Sequence, residues 1–232
     1  MLFRSILLLV VLVLHVVAQP ACAPNGRFLT PFEAIFLPDG RKVQLSKDLR
    51  YLDPECTEWV AMKDEVVDGA SIPKFFWSYI GGPYEGKYRD ASAIHDVYCE
   101  HKNKPWKAVH RTFYSAMLAN GVELWRAKVM FTAVYYFGPR WESSPDGTLL
   151  SYAPIEPTPE ESKKIKVLAD KWKEEQTSTK PPSSSKSSKK KGGSKSNDPR
   201  PAPPPSRPAL SDPAAVLQEA GVLGYDARVS PR

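Results

Sequence analysis

RDASAIHDVYCEHKNKPWKAVHRTFYSAMLANGVELWRAKVMFTAVYYFG, residues 89–138, decides the fold. Its apolar residues recur at helical spacing three times over. Arg89 to Glu100 places Ala91, Ile94 and Tyr98 on one face. Pro105 to Asn120 is the clearest helix: Pro105 suits a first-turn position, Val109, Phe113 and Met117 recur every four residues, and Gly121 follows the end. Leu124 to Phe137 carries Val129, Met130, Ala133, Val134 and Phe137, and a helix apolar on most faces is one buried between others. The Lys102-Asn103-Lys104 connection is short, so the first two helices are expected to pack antiparallel.

Toward the N-terminus the period changes. Phe28-Leu29-Thr30 and Ala34 to Leu37 are short apolar runs, and Pro38-Asp39-Gly40 is turn chemistry for a hairpin returning through Val43 and Leu45. Trp59, Val60 and Met62 supply a further strand before the loop Asp68 to Pro73. Lys74 to Ile80 reads as a short apolar helical turn. The expected fold class is α+β: short antiparallel strands at 25–67, then three helices at 88–140.

Beyond Trp141 the apolar periodicity fades. Residues 22–145 form the expected globular domain, followed by a charged helical extension at 146–175 that carries Trp172. Residues 176–208 are a Ser/Lys/Pro segment with too little apolar area to offset the entropy of ordering, and are expected to be a disordered basic tail. In the short segment 209–232, Ser211-Asp212-Pro213 caps a helix running to Ala220. The formal charge of +6 originates in the tail, where Lys180, Lys186, Lys189, Lys190, Lys191, Lys195, Arg200 and Arg207 face Asp198 alone. Such a segment attracts anionic surfaces without base-specific readout, so the expected partner is an anionic envelope or lipid surface rather than a specific nucleic acid.

Residues 1–21 read as a signal peptide: Arg4, then an apolar run from Ile6 to Val17, then small residues before Gln19. The expectation is an exported protein, periplasmic or extracellular, with a retained N-terminal membrane anchor as the alternative. An oxidising compartment makes disulfide partners of Cys22, Cys56 and Cys99. Three is an odd number, and the sequence does not choose the pair.

The chemistry centres on His95. His95 and Cys99 stand at i and i+4 and share a helix face, and His110 faces them from the second helix. Asp96, about 100° further round, points away from that face, toward the Gly81-Gly82 turn, whose carbonyls can approach a cation closely. Asp68 and Ser71 form a loop that could hold a ligand or metal, or simply an Asx-turn entering Pro73. A serine triad, a Walker loop, a dinucleotide fingerprint and a paired-cysteine zinc motif are all absent from the sequence.

The ordered blocks DGASIPKFFWSYIGG, DASAIHDVY and AVHRTFYSAMLANGV, with a helix ending YYFG, resemble the uncharacterised phage and bacterial family known as domain of unknown function 1353. That resemblance names no reaction. A glycine turn followed by a His-Asp helix and a second helix packed on it is also similar to the phospholipase A2 superfamily. The second resemblance implies a calcium-dependent phospholipid acyl hydrolase with His95 as the base, Asp96 as the calcium carboxylate and Gly81 and Gly82 as carbonyl donors. The chain departs from that pattern. Cys99 stands where those enzymes carry an orienting tyrosine, His110 stands where they carry an aspartate, and Tyr98 is one place early on a different face. Loss of the orienting carboxylate predicts an inefficient or inactive base. The replacements admit a second metal reading, with His95, Cys99 and His110 as three zinc ligands and water as the fourth. The alternative function is a non-catalytic envelope or phage-derived interaction protein.

Overall fold

The computed structural model describes residues 22–40, 42–69, 72, 74–76, 86–178 and 213–220. The signal peptide expected at 1–21, Ser71, Gly81 and Gly82, and the basic tail from 179 to 212 lie outside the described residues.

The fold is α+β. Strands β1 (Arg27–Phe28), β2 (Ala34–Phe36), β3 (Val43–Leu45), β4 (Leu49–Leu52), β5 (Glu58–Ala61) and β6 (Val66–Val67) precede helices α1 (Arg89–His101), α2 (Trp106–Ala119) and α3 (Leu124–Phe137). The strands form two antiparallel three-stranded sheets, ordered β1-β4-β5 and β2-β3-β6. As expected, the β2–β3 hairpin closes on Pro38-Asp39-Gly40. Gly40 takes φ +67°, and the Asp39 carboxylate accepts the Lys42 N–H at 2.9 Å. Burial alternates along β3 and β5, so each sheet turns one face to the helices.

Sheet and helices meet at particular side chains. Tyr51 of β4 is fully buried, its hydroxyl 2.6 Å from the Asn25 carbonyl and 3.0 Å from Ser115 Oγ on α2. Burial raises the pKa of that phenol, which stays neutral. Trp59 of β5 stacks edge-on against Tyr98 of α1 at 4.7 Å, and the Tyr98 hydroxyl accepts the Val60 N–H. The chain can pass Tyr51 only because residue 26 is glycine. A Cβ there would fall 2.2 Å from the Leu52 carbonyl oxygen, and φ is +68°.

Helix α3 is buried on most of its circumference, as its composition requires. The cover comes from a source the charged sequence conceals. Helix α4 (Pro159–Ser178) lays Ile165, Ala169 and Trp172 against α3, and each is about 2% exposed. It begins with a capping box, in which Thr158 Oγ1 accepts the Glu161 N–H and Glu161 accepts the Thr158 N–H in return. One element goes beyond the expectations, and one expected helix gains a place in the core. A hairpin of β7 (Arg140–Ser143) and β8 (Leu149–Tyr152) follows α3, and α5 (Pro213–Ala220) buries Val216 in contact with α3. The core therefore does not end at Trp141. Among the described residues no helix is long and apolar enough to cross a membrane.

Candidate metal centre

Helices α1 and α2 pack together across the short connection after His101, and this brings three of the candidate residues into one cluster. His95 Nε2 lies 2.8 Å from His110 Nδ1. Cys99 Sγ lies 3.6 Å from His95 Nε2 and 3.8 Å from His95 Nδ1. All three side chains are buried, His110 completely. The i, i+4 spacing put His95 and Cys99 on one face; the helix crossing supplied His110.

The far nitrogen of His110 settles its tautomer. His110 Nε2 donates to the Pro139 carbonyl at 3.1 Å, so Nδ1 keeps its lone pair and points it at His95. Burial and the nearby His95 push the pKa of His110 well below the usual imidazole value, and it stays neutral. For His95, burial opposes the charged form, but Cys99 and the Asp96 carboxylate override it and raise its pKa to about 9.

Pro139 is the participant that sequence reasoning missed. Its carbonyl is aimed by the turn that leaves α3 at Gly138, where a Cβ would fall 2.4 Å from the Val134 carbonyl oxygen. The turn is held from the other side as well. Trp141 Nε1 donates to the Lys104 carbonyl, and the Arg140 guanidinium bonds the Tyr135 carbonyl and lies over the Trp106 ring at 4.6 Å. The visible signal was a glycine directly after an apolar helix. Gly138→Ala is expected to cost about 1–3 kcal/mol by overpacking, measured by urea unfolding. A cost below about 0.5 kcal/mol would show that the turn accepts a side chain without moving.

A cleft of about 790 Å³ lies over the cluster, between β6, the last turn of α1 and the β7–β8 hairpin. Cys99 and Asp96 line it, with Asp68, Glu100, Lys42, Lys102 and Tyr152 around them. The two imidazoles stand behind Cys99 and do not line the opening. Asp96 Oδ2 accepts the Gly69 N–H at 2.6 Å while Oδ1 stays 3.9 Å from His95 Nδ1; the Gly81-Gly82 turn it is expected to face lies outside the described residues. Tyr98 is directed to β5 and takes no part. His101 is half exposed and ion-paired with Glu65 at 2.8 Å. Among the described residues His95, Cys99 and His110 are the group of ligand side chains close enough to share a metal ion, their donor atoms all within 4.8 Å of one another.

Residues 43–134 match the family described as "Protein of unknown function (DUF1353)". The chain is 50% identical over 98 residues to uncharacterized protein y4jT of Sinorhizobium fredii (strain NBRC 101917 / NGR234), covering 42% of this chain and 29% of the relative. It is 42% identical over 115 residues to uncharacterized protein y4iH of the same organism, covering 49% of this chain and 48% of the relative. The chain thus spans less than half the length of either of these relatives. No solved structure matches it.

Proposed function

We propose that the protein, whose residues 43–134 match the DUF1353 family, a description that assigns no reaction, is a hydrolase of acyl esters bound in the cleft above Cys99 and Asp96. One observation carries this reading. Two imidazoles, a thiol and a carboxylate converge beneath an opening whose volume suits a small ligand or the head of a larger one. Water attacks the acyl carbon from the cleft side of Cys99 while the Asp96 carboxylate takes its proton; as the acyl C–O bond to the alcohol breaks, Asp96 returns that proton to the alcohol oxygen, and the acyl group leaves as the carboxylic acid.

Three features support a lipid ester at an envelope surface. Val66, which lines the cleft, is half exposed, and Ile35 stands two strands away in the same cross-strand row, 57% exposed. The Lys-rich segment from 180 to 195 complements anionic headgroups. The Cys22–Cys56 disulfide, which leaves Cys99 as the buried free thiol, supports an oxidising, exported setting. Calcium on Asp96 with the Gly81 and Gly82 carbonyls is the metal carried over from the phospholipase resemblance; Asp96 already spends one oxygen on Gly69.

The test is fatty-acid release from vesicles of phosphatidylglycerol and phosphatidylcholine by the full chain. Wild type is expected to release acyl chains, and Asp96→Asn to lower the rate by at least about 100-fold. Equal rates in wild type and Asp96→Asn, with native circular dichroism in both, would overturn the hydrolase and favour a binding module.

A further inference from the structure

The geometry points to a zinc ion held by His95 Nε2, Cys99 Sγ and His110 Nδ1, with the fourth position turned to the cleft. This inference stands independently of hydrolysis, because metal binding is measured without turnover.

Donor spacing is the first argument. Zinc holds imidazole nitrogen at about 2.0–2.1 Å and thiolate sulfur at about 2.3 Å, so tetrahedral donors sit about 3.3–3.6 Å apart. Cys99 Sγ and His95 Nε2 are 3.6 Å apart. His95 Nε2 and His110 Nδ1, at 2.8 Å, need to open by about half an ångström, within the reach of small χ adjustments.

The second argument is the outer shell. A metal-bound histidine generally donates its other N–H to a carbonyl or carboxylate, which fixes the tautomer. His110 does so to Pro139. Apolar rings then enclose the pair: Phe113 lies 4.7 Å from His95, and Trp106 and Trp141 lie 5.4 and 6.5 Å from His110. A dry wall of this kind excludes competing water and strengthens each bond to a cation.

Helix direction supplies the third argument and separates a metal from a free thiolate nucleophile. Cys99 sits in the last turn of α1, where the peptide dipoles present partial negative charge. That end disfavours an unaccompanied thiolate and favours a cation beside it. Imidazole and thiolate together select zinc over calcium or magnesium, whose preferred donors are oxygens. Three protein ligands leave one position for water. Because Cys99 lines the cleft, that position is within reach of whatever the cleft holds.

The test uses the full chain, purified without a histidine tag or metal column. Wild type is expected to carry about one zinc per chain by elemental analysis, and, once the zinc is exchanged for cobalt, to show the thiolate-to-cobalt absorption of a tetrahedral site. Cys99→Ser is expected to lose that absorption, and His110→Gln to bind zinc at least about 100-fold more weakly. His101→Gln, outside the cluster and paired with Glu65, is expected to match wild type. Because a variant can fail for want of folding, wild type is also unfolded in urea with and without added zinc, and zinc is expected to raise the midpoint. Native wild type that holds no zinc, shows no thiolate absorption with cobalt and gains no stability from zinc would overturn the site, as would a thiolate band that survives in Cys99→Ser. Zinc present without esterase activity would sink the hydrolase and leave the metal site standing.

Discussion

Trp172→Ala is expected to lower the unfolding free energy by about 3–5 kcal/mol, the range for removing a large aromatic from a packed core. Trp172 is about 2% exposed, and Lys128 of α3 lies over its ring at 5.2 Å. Ile165 and Ala169 complete a stripe at i, i+4 and i+7 that is the apolar face of α4. Without the indole, a helix whose remaining surface is charged has little to hold it on α3. Urea unfolding gives the magnitude, and protease cleavage between 159 and 178 under native conditions locates it. A loss below about 1 kcal/mol, with α4 still protected, would mean that the helix is held elsewhere. Zinc content should be unchanged, because α4 packs on α3, whereas the three ligand side chains stand on α1 and α2.

Breaking the Cys22–Cys56 disulfide should cost nearly as much. The bridge closes a loop across a sequence separation of 34 and ties the segment before β1 to the β4–β5 turn. Loop-closure entropy for that span is about 3–4 kcal/mol. Cys22→Ser is expected to show this loss in urea unfolding under non-reducing conditions, with dithiothreitol producing it in wild type and nothing further in the variant. Cys56 also sits at φ 64°, a left-handed conformation that costs a side-chain-bearing residue about 1–2 kcal/mol. Cys22→Ser combined with Cys56→Gly should therefore be more stable than Cys22→Ser alone. If dithiothreitol leaves the wild-type midpoint unmoved, the bridge does not stabilise this domain.

Much of this architecture was legible from residues 89–138 and the short strands before them. The periods of α1, α2 and α3, the Pro38-Asp39-Gly40 turn and the His95/Cys99 pair are local properties, decided within one or two helical turns. The disulfide was not. Three cysteines left the pairing open, and the choice of Cys22 with Cys56 came from the meeting of the N-terminal segment with the β4–β5 turn, while the α1–α2 contact sequestered Cys99. The role of α4 was equally hidden. Its helix was readable and its capping box stands in the sequence as Thr158 to Glu161, but a stripe of three apolar residues on a charged helix does not say which surface it covers.

The candidate site divides along the same line. The sequence by itself determined that an imidazole and a thiol share one face of α1, because a helix repeats every 3.6 residues whatever surrounds it. Only the tertiary structure decided that His110 meets His95 at 2.8 Å, that the Pro139 carbonyl selects the His110 tautomer, and that a cleft opens on Cys99. These depend on a helix crossing, on a turn beyond α3 and on a hairpin with no strong sequence period. The physical reason is range: torsional preference and hydrophobic period act over a few residues, whereas a ligand cluster is made where close-packed surfaces from distant parts of the chain come together.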